Sequence, residues 1–160
     1  MLCRTICSAA WTSGVDRMER GAGRQAKALW ASLLGTYLAL IFYLSTRPHL
    51  QAPVRWPLWD KLAHGIEYAL LGFLAWRAWG AFARPGSRRA LRAVILLAAG
   101  LAIGLFDEWV QSHVPGREAS ALDWLCDGAG FAAGIGIAGL RRRTRMGGRP
   151  RGGGGRVRHE

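Results

Sequence analysis

The sequence predicts an all-α polytopic membrane protein with four transmembrane helices and both termini in the cytoplasm. Three observations lead there. Hydrophobic residues make up 51% of the chain although 22 Lys and Arg stand against 10 Asp and Glu, a net charge of +12, so apolar and basic character must occupy different stretches. The apolar residues gather into four runs of about twenty, the length at which a helix rising 1.5 Å per residue crosses a hydrocarbon core of ~30 Å. The basic residues fall almost entirely on one side of the resulting topology. A chain of 160 residues is enough for one domain.

Residues 1–27 carry Arg4, Arg17, Arg20, Arg24 and Lys27 among Gly and Ser, with no apolar period, and read as a basic cytoplasmic lead-in. The apolar ICSAAW is too short for the core of a signal peptide. Met18 opens MERGAGRQAKALW, a compact basic start, so 1–17 are expected to precede the true start codon; a native N-terminal peptide containing Trp11 would refute this. The domain proper is expected over 28–140. Its first span, 28–46, has no charge and ends at Arg47 and Pro48. In the loop 49–59, Trp56 and Trp59 suit the lipid interface. The second span, 61–82, carries His64, Glu67 and Arg77, the last placed to snorkel. After a turn with four arginines comes the third span, 90–111, where Gly100 and Gly104 permit close helix contact. The fourth, 122–140, has glycines at 128, 130, 134, 136 and 139, a smooth face for tight packing. The tail, 141–160, holds eight arginines and six glycines and is expected to be disordered.

Of the 22 Lys and Arg, 18 lie on the side of the two termini and the 83–92 turn, and the rest are Arg47, Arg55, Lys61 and Arg117. The positive-inside rule therefore places the termini in the cytoplasm. The same placement makes the basic residues topology signals and contacts for anionic headgroups. No nucleic-acid partner is expected, because no aromatic platform is interleaved with them. Cys3, Cys7 and Cys126 have no spacing for a disulfide framework or a zinc site.

Polar residues from three spans and one loop meet at a single membrane depth on the outer side. Asp60, His64 and Tyr68 lie one helical turn apart, with Lys61 and Glu67 beside them. Asp107, Glu108 and Gln111 end the third span. Asp123 and Asp127 begin the fourth, and the turn between them supplies Arg117 and Ser120. Individually these have ordinary readings: Asp60 and Asp123 as helix N-caps, Gln111 as a helix end. Together they describe a shared pocket, since charged groups at membrane depth usually face protein or a wet cavity.

The order Asp60-Lys61-x-x-His64-x-x-x-Tyr68, Glu108-x-x-Gln111, Pro115-Gly116-Arg117-x-x-Ser120-x-x-Asp123 and Gly130 resembles the VanZ-like family of small bacterial membrane proteins over residues 45–140. Where that family usually has Asn, this chain has Asp127. The resemblance implies a multi-pass protein of the bacterial plasma membrane and cell envelope; the founding member is linked to resistance against the glycopeptide teicoplanin. It implies no particular reaction.

Three functional readings are open on the sequence. The pocket could bind or modify an anionic outer-leaflet lipid, lipid-linked or cell-wall-related molecule, with Arg117 on a phosphate or carboxylate and His64 or Glu108 moving a proton. No organic cofactor is predicted; Asp60, Asp123 or Asp127 suit a divalent cation, without diagnostic spacing. A small transporter or proton-coupled carrier is a second reading, opposed by the confinement of polar residues to one face. A structural or partner-binding role is the third, in which Arg117 neutralises Glu108 and Asp123 internally. Oligomerisation through the glycine faces is a further expectation.

Overall fold

The computed structural model describes residues 2–48, 59–83, 86–117 and 119–147, with side chains between 18 and 140. Of the loop expected at 49–59, Trp59 begins the second helix, and the rest lies outside the described residues, as does the tail beyond 147. Four helices make up the chain: α1 (Leu2–Ser45), α2 (Trp59–Phe82), α3 (Arg89–Gln111) and α4 (Ala121–Gly147). The all-α expectation holds. Two helices run further than expected. Residues 2–27 continue α1 instead of leading into it, since no proline interrupts the segment and its Ala, Arg, Met and Glu favour helix. Residues 141–147, expected as disordered, extend α4; arginine is a good helix former, and its charge is favourable at a helix C-terminus.

Side-chain contacts fix how the helices run. Tyr37 donates a hydrogen bond to the Glu67 carbonyl at 3.1 Å, and the Arg77 guanidinium lies 4.5 Å from the centre of the Trp30 ring, so α1 and α2 form an antiparallel hairpin. Trp124 Nε1 donates to the Leu101 carbonyl at 3.0 Å and Glu108 meets Ser120, making α3 and α4 a second one. The hairpins join through α2 and α4, which run parallel: Lys61 faces Asp123, Gly65 faces Gly130, and Trp76 faces Gly139. The C-terminal ends of α1 and α3 and the N-terminal ends of α2 and α4 thus share one end of the bundle.

Glycine makes the α2–α4 junction. A Cβ on Gly130 would collide with the carbonyl oxygen of Gly65, one on Gly134 with that of Ala69, and one on Gly72 with that of Phe131. Backbone lies against backbone, an approach only glycine allows. On α3, Gly100 receives the Phe131 ring, whose nearest atoms lie 2.7 Å from where a Cβ would stand, and Gly104 faces Trp124 and Asp127. Tyr68, Leu71, Trp76, Phe131 and Ile135 form the core around this junction.

Over Arg20–Ser45, α1 is long and apolar enough to cross a bilayer, as is α3; of their apolar windows 11% and 28% are buried. A core helix of a soluble fold would be mostly buried, so this apolar surface faces outward. The helices α2 and α4 do not meet the same test of length and composition. Their inward faces carry Lys61, His64, Glu67, Asp123 and Asp127, while Leu62, Ile66 and Leu70 on α2 and Leu122 and Leu125 on α4 are exposed.

Candidate functional site

The polar end is organised by the link between α3 and α4. Val114, Pro115, Gly116 and Arg117 form a turn closed by a 3.1 Å bond from the Arg117 N–H to the Val114 carbonyl, with Gly116 at φ +82°. A type II turn requires a positive φ at its third position, which glycine supplies, and favours proline at its second. Gly116→Ala is expected to lower stability by about 1–2 kcal/mol, the cost of forcing an L-residue into that conformation. Thermal unfolding of the detergent-solubilised variant measures it; an unchanged melting temperature would show that the turn is not held this way.

From the turn Arg117 reaches back, and its Nη1 donates to Gln111 Oε1 at 3.0 Å. Gln111, one turn beyond Asp107 on α3, donates from Nε2 to Asp107 Oδ2 at 2.9 Å. The other Asp107 oxygen accepts from Ser45 Oγ at the end of α1. This chain of bonds ties α1, α3 and the turn together. Ser45, 4% exposed, is the residue that sequence reasoning missed. Its signal was slight: a hydroxyl in the last turn of α1, at the depth of Asp107.

Ser120 is the N-cap of α4, with its carbonyl and hydroxyl both accepting from the Asp123 N–H, at 3.0 and 3.4 Å. Asp123 is therefore not the cap that the sequence suggested. It sits in the first turn, where its charge favours the helix dipole, and accepts from Lys61 Nζ at 3.0 Å. The Ser120 N–H donates to Glu108 Oε2 at 2.6 Å, locking α3 to the start of α4. His64 Nδ1 bonds Asp127 Oδ1 at 3.0 Å. Arg117 neutralises neither Glu108 nor Asp123, contrary to the structural reading of the sequence: Lys61 takes Asp123, and a backbone N–H takes Glu108. Among the described residues Arg117 makes no ion pair with a carboxylate.

The structure thus brings Lys61, His64, Tyr68, Asp107, Glu108, Gln111, Arg117, Ser120, Asp123 and Asp127 to one end of the bundle. Asp60 lies exposed at its edge, and Glu67 is half-buried. Asp107, Glu108, Asp123 and Asp127 are each 5% exposed or less. Burying carboxylates is costly unless charge and hydrogen bonds compensate, and compensation is incomplete: Glu108 Oε1, Asp127 Oδ2 and the Tyr68 hydroxyl are buried without a hydrogen-bond partner among the described residues.

Beside Glu108 an open groove of about 780 Å³ runs along α3, lined by Ala102, Leu105, Phe106, Glu108, Trp109, Ser112 and Ala119. Its walls are apolar for most of their length and polar where they meet the turn. Phe106 stacks on Trp109 with ring centres 5.5 Å apart, and Trp109 lies 4.8 Å from His113, so an aromatic ladder leads from the apolar stretch to the polar end.

A family model described as VanZ/LLP1 matches residues 12–142. No curated protein and no solved structure matches the chain.

Proposed function

Because the chain belongs to the VanZ/LLP1 family and presents two bilayer-length apolar helices, we propose that it is a four-span protein of the bacterial plasma membrane that binds an anionic, lipid-linked molecule of the cell envelope. The exposed Leu and Ile stripes of α2 and α4 support four spans: each helix turns its polar face to the bundle and an apolar face outward. The distribution of Lys and Arg supports a topology with cytoplasmic termini and the polar end outside.

One observation carries the ligand class. An apolar groove, with Glu108 and Ser112 at its polar end, lies beside the turn that carries Arg117, whose guanidinium meets a neutral amide and, among the described residues, no carboxylate. An acyl or isoprenoid chain fits the apolar walls, and a phosphate or carboxylate headgroup fits the guanidinium, which grips such groups through paired N–H donors. Arg117→Ala is expected to reduce co-purified anionic lipid by about tenfold or more, the effect of losing a charge-assisted bond of ~1.5–3 kcal/mol. Lipid mass spectrometry of protein extracted from native membrane measures this. Equal lipid in wild type and variant, both folded, would reject the reading.

A structural role has its own support in the Ser45–Asp107–Gln111–Arg117 chain of bonds, which closes without any ligand. On that reading Arg117→Ala loses folded protein, and lipid content per folded molecule stays constant.

A further inference from the structure

We propose that His64, Glu108 and Asp127 hold a divalent metal ion of the Mn²⁺ and Zn²⁺ class, with the Tyr68 hydroxyl facing the ion as a fourth polar group. The three side chains come from α2, α3 and α4, and each offers a ligand atom within 4.8 Å of the other two. Ligands bound at ~2.1 Å stand about 3.0 Å apart when adjacent and about 4.2 Å when opposite. The 3.0 Å between His64 Nδ1 and Asp127 Oδ1 is the adjacent spacing.

A cluster of acids alone would not establish a ligand. The Tyr68 hydroxyl supplies the independent observation: the residue lies one turn beyond His64 on α2, is 0% exposed, and its oxygen has no hydrogen-bond partner among the described residues. Each carboxylate of the set also keeps one unpartnered buried oxygen, Glu108 Oε1 and Asp127 Oδ2. Of the four buried carboxylates, Asp123 alone meets a lysine or arginine among the described residues, so a dipositive ion held by His64, Glu108 and Asp127 offsets charge that Lys61 and Arg117 leave uncompensated.

A second set, Asp60, His64 and Asp123, satisfies the same distance limit. It is the weaker site, because Asp60 is exposed and Asp123 is already paired with Lys61. One imidazole among carboxylates favours Mn²⁺ or Zn²⁺ over Mg²⁺ and Ca²⁺, which prefer oxygen alone. Glu108 also lines the groove, so an anionic oxygen of a molecule held there has a route to the ion. The metal site goes beyond the lipid reading and does not depend on it.

The test is binding of Mn²⁺ alone to the full chain in detergent, followed by loss of the free-ion resonance signal, with Zn²⁺ as competitor and without lipid. Wild type is expected to take up a single equivalent. Glu108→Gln, Asp127→Asn and His64→Gln are each expected to weaken binding by about tenfold or more, while Asp60→Asn stays near wild type. Helical circular dichroism checks that each variant is folded. Should the variants not fold, bound Mn²⁺ in the wild type must still show electron-spin-echo modulation from an imidazole nitrogen. Absence of uptake by folded wild type at millimolar Mn²⁺ overturns the proposal. So does bound Mn²⁺ without nitrogen coupling, or a loss of affinity confined to Asp60→Asn.

Discussion

Gly130→Ala is expected to destabilise the protein near or beyond the upper end of the ~1–3 kcal/mol typical of overpacked cores. The added methyl would collide with the Gly65 carbonyl oxygen, with the carbonyl carbon 2.8 Å and Cα 3.0 Å from the new Cβ. These are backbone atoms within α2, so relief requires moving a helix. Two nearby substitutions separate this effect from a general intolerance of alanine. Gly65→Ala, on the other side of the same crossing, meets only the Cys126 carbonyl oxygen at 3.8 Å, an ordinary contact. Gly136→Ala meets nothing within 4 Å and is expected to be neutral or to gain up to ~1 kcal/mol from helix propensity. Reversible unfolding in mixed micelles gives the ranking. If Gly130→Ala and Gly136→Ala melted alike, the backbone contact between α2 and α4 would be wrong.

Asp107→Ala is the second large effect, on the order of 3 kcal/mol. It strips the acceptor from two buried donors, Ser45 Oγ and Gln111 Nε2, and an unsatisfied buried group costs ~1–3 kcal/mol. Asp107→Asn is expected to cost less, because one acceptor oxygen remains while an amide N–H₂ replaces the other. The double variant Ser45→Ala, Asp107→Ala is expected to fall short of the sum of its parts by about 1 kcal/mol, since the first substitution removes a donor that the second would strand. Additive costs would show that Ser45 and Asp107 do not share a bond. Losing Asp107 also frees Gln111, so Arg117 is expected to lose its fixed position.

The sequence reveals the polar end more readily than its wiring. One-turn spacings such as Asp60, His64 and Tyr68 or Asp107 and Gln111 survive in the structure because helical periodicity alone sets them. Which carboxylate meets which donor depends on how helices cross, and no local pattern encodes that. Arg117 was a candidate partner for Glu108 and Asp123 by charge alone, yet the type II turn directs it to Gln111. Ser45 escaped notice because a hydroxyl near a helix end is usually bonded to its own backbone. Glycine faces on the third and fourth spans were legible as surfaces for close approach, but small residues do not name their partner. Here Gly130 and Gly134 are used on α2 of the same chain. The marginal hydropathy of α2 and α4 has the same origin as the polar end, since averaging along a helix mixes an inward polar face with an outward apolar one.

At the polar end, among the described residues, side-chain hydrogen bonds cross from the first helical hairpin to the second at three places: Ser45 to Asp107, Lys61 to Asp123 and His64 to Asp127. Their partners are 62, 62 and 63 residues apart in sequence. In each, the earlier residue brings the proton and the later one the carboxylate. In these three contacts the donor is therefore made first and the acceptor afterwards. As domains and subdomains assemble in the order of synthesis, the acids of the second hairpin are made with their counterparts already waiting. Compensation of charge is then a reward for docking the two hairpins in register, and a slip of one turn between α2 and α4 would forfeit the Lys61 and His64 contacts together.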